Sequence, residues 1–199
     1  MRGLLLKDFF LVRSVLGILL LVLLVVGSGM SVLTSTWVLT VVSTVMFGMI
    51  GVTTIGQDKA SGWNRVAGVL PVSPRAVVDS KYVLYLLLSG AGFVLGGFIG
   101  MLGALVQAQA DGAVFAVVSL SIALLSGSVT IPCNFLLGEE KGIVSLIAAY
   151  PLSTAIFIGA AAIWRDPLTS GLAVLAVGVA LYLISWLAAR ALLPRRDAV

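Results

Sequence analysis

Apolar positions fill six stretches of this chain, roughly 15–33, 37–56, 77–106, 113–136, 143–164 and 168–190, with short polar segments between them. A helix that crosses a bilayer needs about 20 predominantly apolar residues. Each stretch therefore predicts a transmembrane helix, and the third is long enough to tilt or protrude. The connections read "SVLTST", "GQDKASGWNRVAGVLPVSPR", "QAQADG", "GEEKG" and "RDPL". The fold class expected is an all-α membrane protein, one transmembrane domain over residues 1–199 with six spans.

Composition agrees with the pattern. Of the 199 residues 60% are hydrophobic and 10% charged, and the mean hydropathy of +1.19 lies far outside the range of a water-soluble domain. Six spans with short connections leave no room for a folded soluble domain, so a catalytic engine would have to sit in the bilayer or on another chain. Histidine is absent, which removes the commonest metal ligand and the usual general base. The single cysteine, Cys133, beside Pro132 in an apolar run, permits no intrachain disulfide and reads as a packing residue. No cofactor or metal site is expected in the chain.

Charge assigns the sides. Six spans put both termini on one side, whose segments hold Arg2, Lys7, Arg13, Lys59, Arg65, Arg75, Lys81, Lys141, Arg190, Arg195 and Arg196, whereas the opposite loops hold Arg165. Short loops rich in Lys and Arg stay in the cytoplasm. The termini, "GQDKASG" and "GEEKG" are therefore expected there, as in a multi-pass protein of a bacterial inner membrane. Bases beside the spans face anionic inner-leaflet lipid, which accounts for the net charge of +4 without nucleic acid. No Asp, Glu, Lys or Arg falls in the middle of an apolar run. Ion-coupled transporters usually carry such a group, so coupling energy is expected from elsewhere.

The first residues, "MRGLLLKDFFLVR", are charged yet rich in Leu and Phe. Arg2, Lys7, Arg13 and Ser14 share a broad helical sector and Asp8 falls outside it. An interfacial helix over 1–14 leading into the first span is the preferred reading, and a span that starts earlier with snorkelling bases is the alternative. These bases, the run 15–26 and "GSG" also resemble a secretory signal, but a chain that stays hydrophobic far beyond them reads more simply as keeping its first span. In the third span Gly92, Gly96, Gly100, Ala104 and Ala108 recur every four residues. Such a face lets helices approach closely, either inside the monomer or at a dimer seam. "LSGSV", with Ser126 and Ser128, prompts an intramembrane hydrolase, but a serine nucleophile needs a base and no histidine or mid-membrane lysine is present.

The most polar connection is the informative one. As a helix from Asp58, it places Trp63, Val66 and Leu70 on one side and Asp58, Lys59, Asn64 and Arg65 on others. Pro71 stops it, and Ser73 then caps a new helix whose first position is Pro74. A short helix flat on the membrane surface and tied to two spans is a mechanical handle; an ordinary solvated loop with an interfacial tryptophan fits the residues equally well.

"DKASGWNRVAGVLPVSPRAVVDSKY" and "IPCNFLLGEEKG" resemble signatures of the type-2 ABC exporter permeases, in the small six-span group that includes the permeases of phenol-soluble modulin exporters. Pro74 and Ile143 depart from that pattern. The resemblance implies a cytoplasmic coupling helix over 57–72. Asp58, Lys59, Trp63, Asn64, Arg65, Val66 and Leu70 would meet an ABC ATPase subunit, with Trp63 as anchor. Glu139, Glu140 and Lys141 would form a second contact. ATP and Mg would belong to the partner, since the chain has no G-x-x-x-x-G-K-[ST] pattern. A second permease copy, identical or closely related, would complete an exporter of amphipathic or hydrophobic cargo such as membrane-active peptides. "GQDK" and "GEEK" also read alike, a four-residue similarity that chance explains equally well. The alternative is the substrate-binding membrane subunit of an ATP-driven vitamin importer, for which Asn134, Gln107 and Gln109 are the available polar groups.

Overall fold

A computed structural model describes residues 2–33, 37–63, 73–107, 112–136, 139–163 and 166–196. Six helices account for nearly all of them: α1 (Arg2–Leu33), α2 (Val38–Ala60), α3 (Pro74–Gln107), α4 (Gly112–Leu136), α5 (Glu139–Ile163) and α6 (Pro167–Arg196). Five of these are long and apolar enough to cross a membrane. Among the described residues of α5 the apolar stretch is Ile147–Ala160. No break separates residues 2–14 from the first span, so the N-terminal segment and α1 are one continuous helix.

Local sequence sets the helix ends. Ser73 Oγ accepts a bond from Ala76 N (3.2 Å), and Pro74 takes the first helical position of α3, where a missing N–H costs nothing. Asp166 does the same for α6, accepting from Thr169 N at 2.9 Å ahead of Pro167. The Thr169 hydroxyl also donates to Asp166 Oδ2, and this bond, with that from Thr169 N, holds the exposed carboxyl below the usual carboxylate range. At the end of α2, Ser61 N donates to Gln57 O and Gly62 adopts φ +70°, the left-handed conformation that ends helices and that glycine adopts without strain.

The tightest pairing is α2 against α3, and glycine makes it possible. A Cβ on Gly92 would lie 2.4 Å from Ser43 O, and one on Gly96 would lie 2.7 Å from Leu39 O. Two members of the small-residue stripe thus face α2 within the chain, where Ser43 Oγ donates to Gly92 O at 2.7 Å. Gly100 is buried and Ala104 half-buried on the same helix. Around this pair lies a core of Val52, Ile55, Val78, Tyr82, Tyr85, Ile131 and Tyr182. Gly127 leaves room for the Tyr85 ring, which would lie 2.4 Å from an added Cβ.

A proline inside a helix has no N–H to give the carbonyl four residues back. In α4 that proline is Pro132, and the carbonyl is that of Ser128. Ser185 Oγ of α6 donates to it at 2.6 Å and lies 2.8 Å from Tyr82 Oη of α3. The defect in one helix thereby becomes a joint among three. Ser126 serves similarly, its Oγ 3.0 Å from Ser153 Oγ of α5, whereas Ser128 Oγ donates within its own helix to Leu125 O.

Replacing Gly96 by leucine should disrupt the α2–α3 seam, since backbone atoms stand where the side chain must go. We expect about 1–3 kcal/mol of destabilisation or more, read as a lower thermal midpoint in detergent. Gly90→Leu, where nothing lies within 4 Å of an added Cβ, is the control, and equal midpoints for the two variants would refute the close approach.

Candidate functional site: a ring of charge at one end of the bundle

The start of α1, the end of α2 and the start of α3 meet, and each brings charge. Lys7 Nζ lies 2.6 Å from Asp58 Oδ1 and 3.1 Å from Asp8 Oδ1. Lys81 Nζ lies 2.6 Å from Asp58 Oδ2 and 2.9 Å from Asp8 Oδ2. Each carboxylate thus gives one oxygen to each ammonium, and the four groups close into a neutral ring.

The ring is buried. Asp8 is 1% exposed, Lys81 3% and Asp58 6%. A buried ammonium must satisfy its three N–H groups, and Lys81 does so with the two aspartates and Thr54 Oγ1 at 3.1 Å. Lys7 is the most open member and lies 4.3 Å from the centre of the Trp63 ring, a cation–π contact. Beside it lies an open cleft of about 580 Å³ lined by Lys7, Leu11, Gln57, Asp58, Ala60, Ser61 and Trp63.

Two further ties lie at the same end. Lys59 Nζ donates to Asn134 O at 2.5 Å and Phe135 O at 3.1 Å. These are carbonyls of the last described turn of α4, and a helix C-terminus favours a cation. Asp79 Oδ1 of α3 accepts from Trp186 Nε1 of α6 at 2.8 Å and pairs with Arg190 Nε at 3.2 Å.

This arrangement revises the expected site. Asp58 and Lys59 do not open a separate surface helix: they lie in the last turns of α2, which ends only at Ala60. The reason is electrostatic, since Asp58 is drawn in by Lys7 and Lys81 and Lys59 by α4. Trp63 follows the Gly62 turn and sits against Lys7. Asn64, Arg65, Val66 and Leu70 lie outside the described residues, as do Gln109 and the rest of 64–72. Glu139, Glu140 and Lys141 form the first turn of α5. Asn134 Nδ2 donates to Thr130 O at 2.9 Å and to Ser145 Oγ at 3.4 Å. Sequence reasoning missed Lys7, Asp8, Asp79, Lys81 and Arg190. A signal existed: Asp8, Asp58 and Asp79 are acids on the strongly basic side, each beside a span, where an acid calls for a partner.

Among the described residues no group of three His, Cys, Asp or Glu could hold a metal. The chemistry available is ion pairing between helix ends, which suits a part that moves or holds. The family model described as ABC-2 family transporter protein matches residues 3–191. The chain belongs to the ABC-2 transporter family. No curated protein and no solved structure matches it. As an ABC-2 transporter it is a multi-pass permease subunit of an ABC transporter, a family of transport subunits that are generally not catalytic themselves. In this ABC-2 permease the charge ring and the two neighbouring ties join helix ends at one end of the bundle.

Removing one member of a buried ion network leaves an uncompensated charge, at a cost of about 3–5 kcal/mol. Lys81→Met should lower unfolding stability in detergent by that order, and adding Asp58→Asn should recover part of it by restoring neutrality. A double variant no more stable than Lys81→Met would show that the ring is not a coupled unit.

Proposed function

We propose that the chain is the membrane subunit of an ATP-driven exporter, similar to the phenol-soluble modulin exporter permeases, and that a separate cytoplasmic ABC ATPase drives it. The observation that carries the reading is the placement of the charge ring. The connection between α2 and α3 leaves the bundle where α1, α2 and α3 are joined by ion pairs. A push on that connection therefore reaches three helices at once, which a loosely attached loop could not achieve.

In this reading the ATPase grips the segment beginning at Trp63 and continuing through Asn64, Arg65, Val66 and Leu70 as a coupling helix. Asp58 and Lys59 act behind it as anchors. Glu139, Glu140 and Lys141 supply a second contact. The charged end faces the cytoplasm, both termini with it, in a bacterial inner membrane. Two permeases, identical or closely related, enclose the pathway, and ATP with Mg is bound on the ATPases. Cargo is amphipathic or hydrophobic, with membrane-active peptides as the favoured class, because mostly apolar residues and hydroxyls would line the pathway. The importer alternative draws no support from Asn134, whose amide bridges Thr130 and Ser145 at a helix end.

Affinity purification of the tagged chain from native membranes, with mass spectrometry and an ATPase assay, tests the reading. A stoichiometric ATP-binding subunit should copurify, and Trp63→Ala should weaken that association while leaving membrane insertion intact. A preparation of this chain alone without ATPase activity, or wild-type association in Trp63→Ala, would count against it.

A further inference from the structure

We infer that Lys59 is a positioning residue that clips the α4–α5 connection to the α2–α3 connection, so that the two move as one. The inference deepens the proposed function, since it concerns the two segments assigned to the ATPase, but its evidence is internal to this chain.

Helices end with carbonyls that need donors, and these usually come from nearby residues or a following glycine. At the end of α4 a donor comes from another helix. Lys59 sits one residue before the end of α2, and its ammonium reaches the carbonyls of both Asn134 and Phe135. A cation at a helix C-terminus is favoured by the peptide dipoles, and hydrogen bonds from a charged donor are the stronger kind. The contact therefore fixes the position of one helix end against the other.

The tie continues beyond α4. Asn134, whose carbonyl Lys59 holds, reaches with its side-chain amide to Ser145 in the second turn of α5. A polar path thus runs from α2 through the end of α4 to the second turn of α5. The α2–α3 connection begins two residues after Lys59, at the Ser61–Gly62 turn. Displacing either connection displaces the other, and the second contact does not act as an independent lever.

The test uses the full chain in lipid nanodiscs, with Cys133→Ser and spin labels at Ser61→Cys and Val144→Cys; both positions are exposed. A second pair, Val94→Cys and Leu172→Cys, is also exposed and reports on the bundle away from the clip. By pulsed electron resonance the first pair should give one narrow distance distribution. Lys59→Met should broaden or shift it while the second pair stays unchanged, and Lys59→Arg should restore it. An unchanged first pair in Lys59→Met would overturn the clip, and so would broadening of both pairs alike, which would make Lys59 a general packing residue. No ATPase is needed, so failure to copurify one leaves this result standing. With an ATPase present, ATP should move the two labelled sites together in the unsubstituted chain and apart in Lys59→Met.

Discussion

A charge taken out of water must find its complement inside the protein, and at one end of this bundle four charges do so at once. Lys7, Asp8, Asp58 and Lys81 come from three helices, and each carboxylate takes an ammonium from a helix other than its own. The pairs fix how α1, α2 and α3 meet at this end. Burial of this kind adds less to net stability than its Coulomb energy suggests, because desolvation offsets much of it. Its effect falls on geometry. This matters most for α1, whose apolar window is 11% buried against 50% for that of α2; the ring adds to the apolar contacts of Leu16, Leu19 and Leu23 in seating it.

The rest of the bundle follows the same logic with weaker groups. Hydrocarbon offers no hydrogen bonds, so polar atoms within the spans must pair inside the protein. Ser43 bridges α2 to Gly92 where two glycines let the backbones meet. Ser185 donates to the Ser128 carbonyl that Pro132 leaves without a helical donor, and Tyr82 joins it from a third helix. Of the hydroxyls that suggested a hydrolytic site, Ser126 is used in such a joint with Ser153 and Ser128 bonds within its own helix.

Helix number and approximate limits were legible because the length of an apolar run is a local property. The caps at Ser73–Pro74 and Asp166–Pro167 are local too, and the first of them could be read directly. The ring was not legible in this way, since its members are scattered along the chain and joined only by folding. Asp8 is the instructive case. Off the basic sector of the first helix it looked like an imperfection in an amphipathic pattern, whereas it is the residue that faces inward and takes Lys81. Asp58 misled in the opposite direction: a polar residue at the start of a polar segment reads as surface until its two lysines are known. Lys59 likewise looked like a solvent-facing base, because nothing in its neighbours points to a helix end on the far side of a later span.

The ring also orders the making of the protein. Chains emerge from the N-terminus, so Lys7 and Asp8 reach the membrane before α2 or α3 exists, and Lys81 is the last member to arrive. Until then Lys7 and Asp8 have each other and, once α2 is made, Asp58 as partners, and Asp8 lacks the ammonium of Lys81. Completion of the third helix is the moment at which the first one acquires a fixed seat, so early insertion and late locking are separate events in the biogenesis of this subunit.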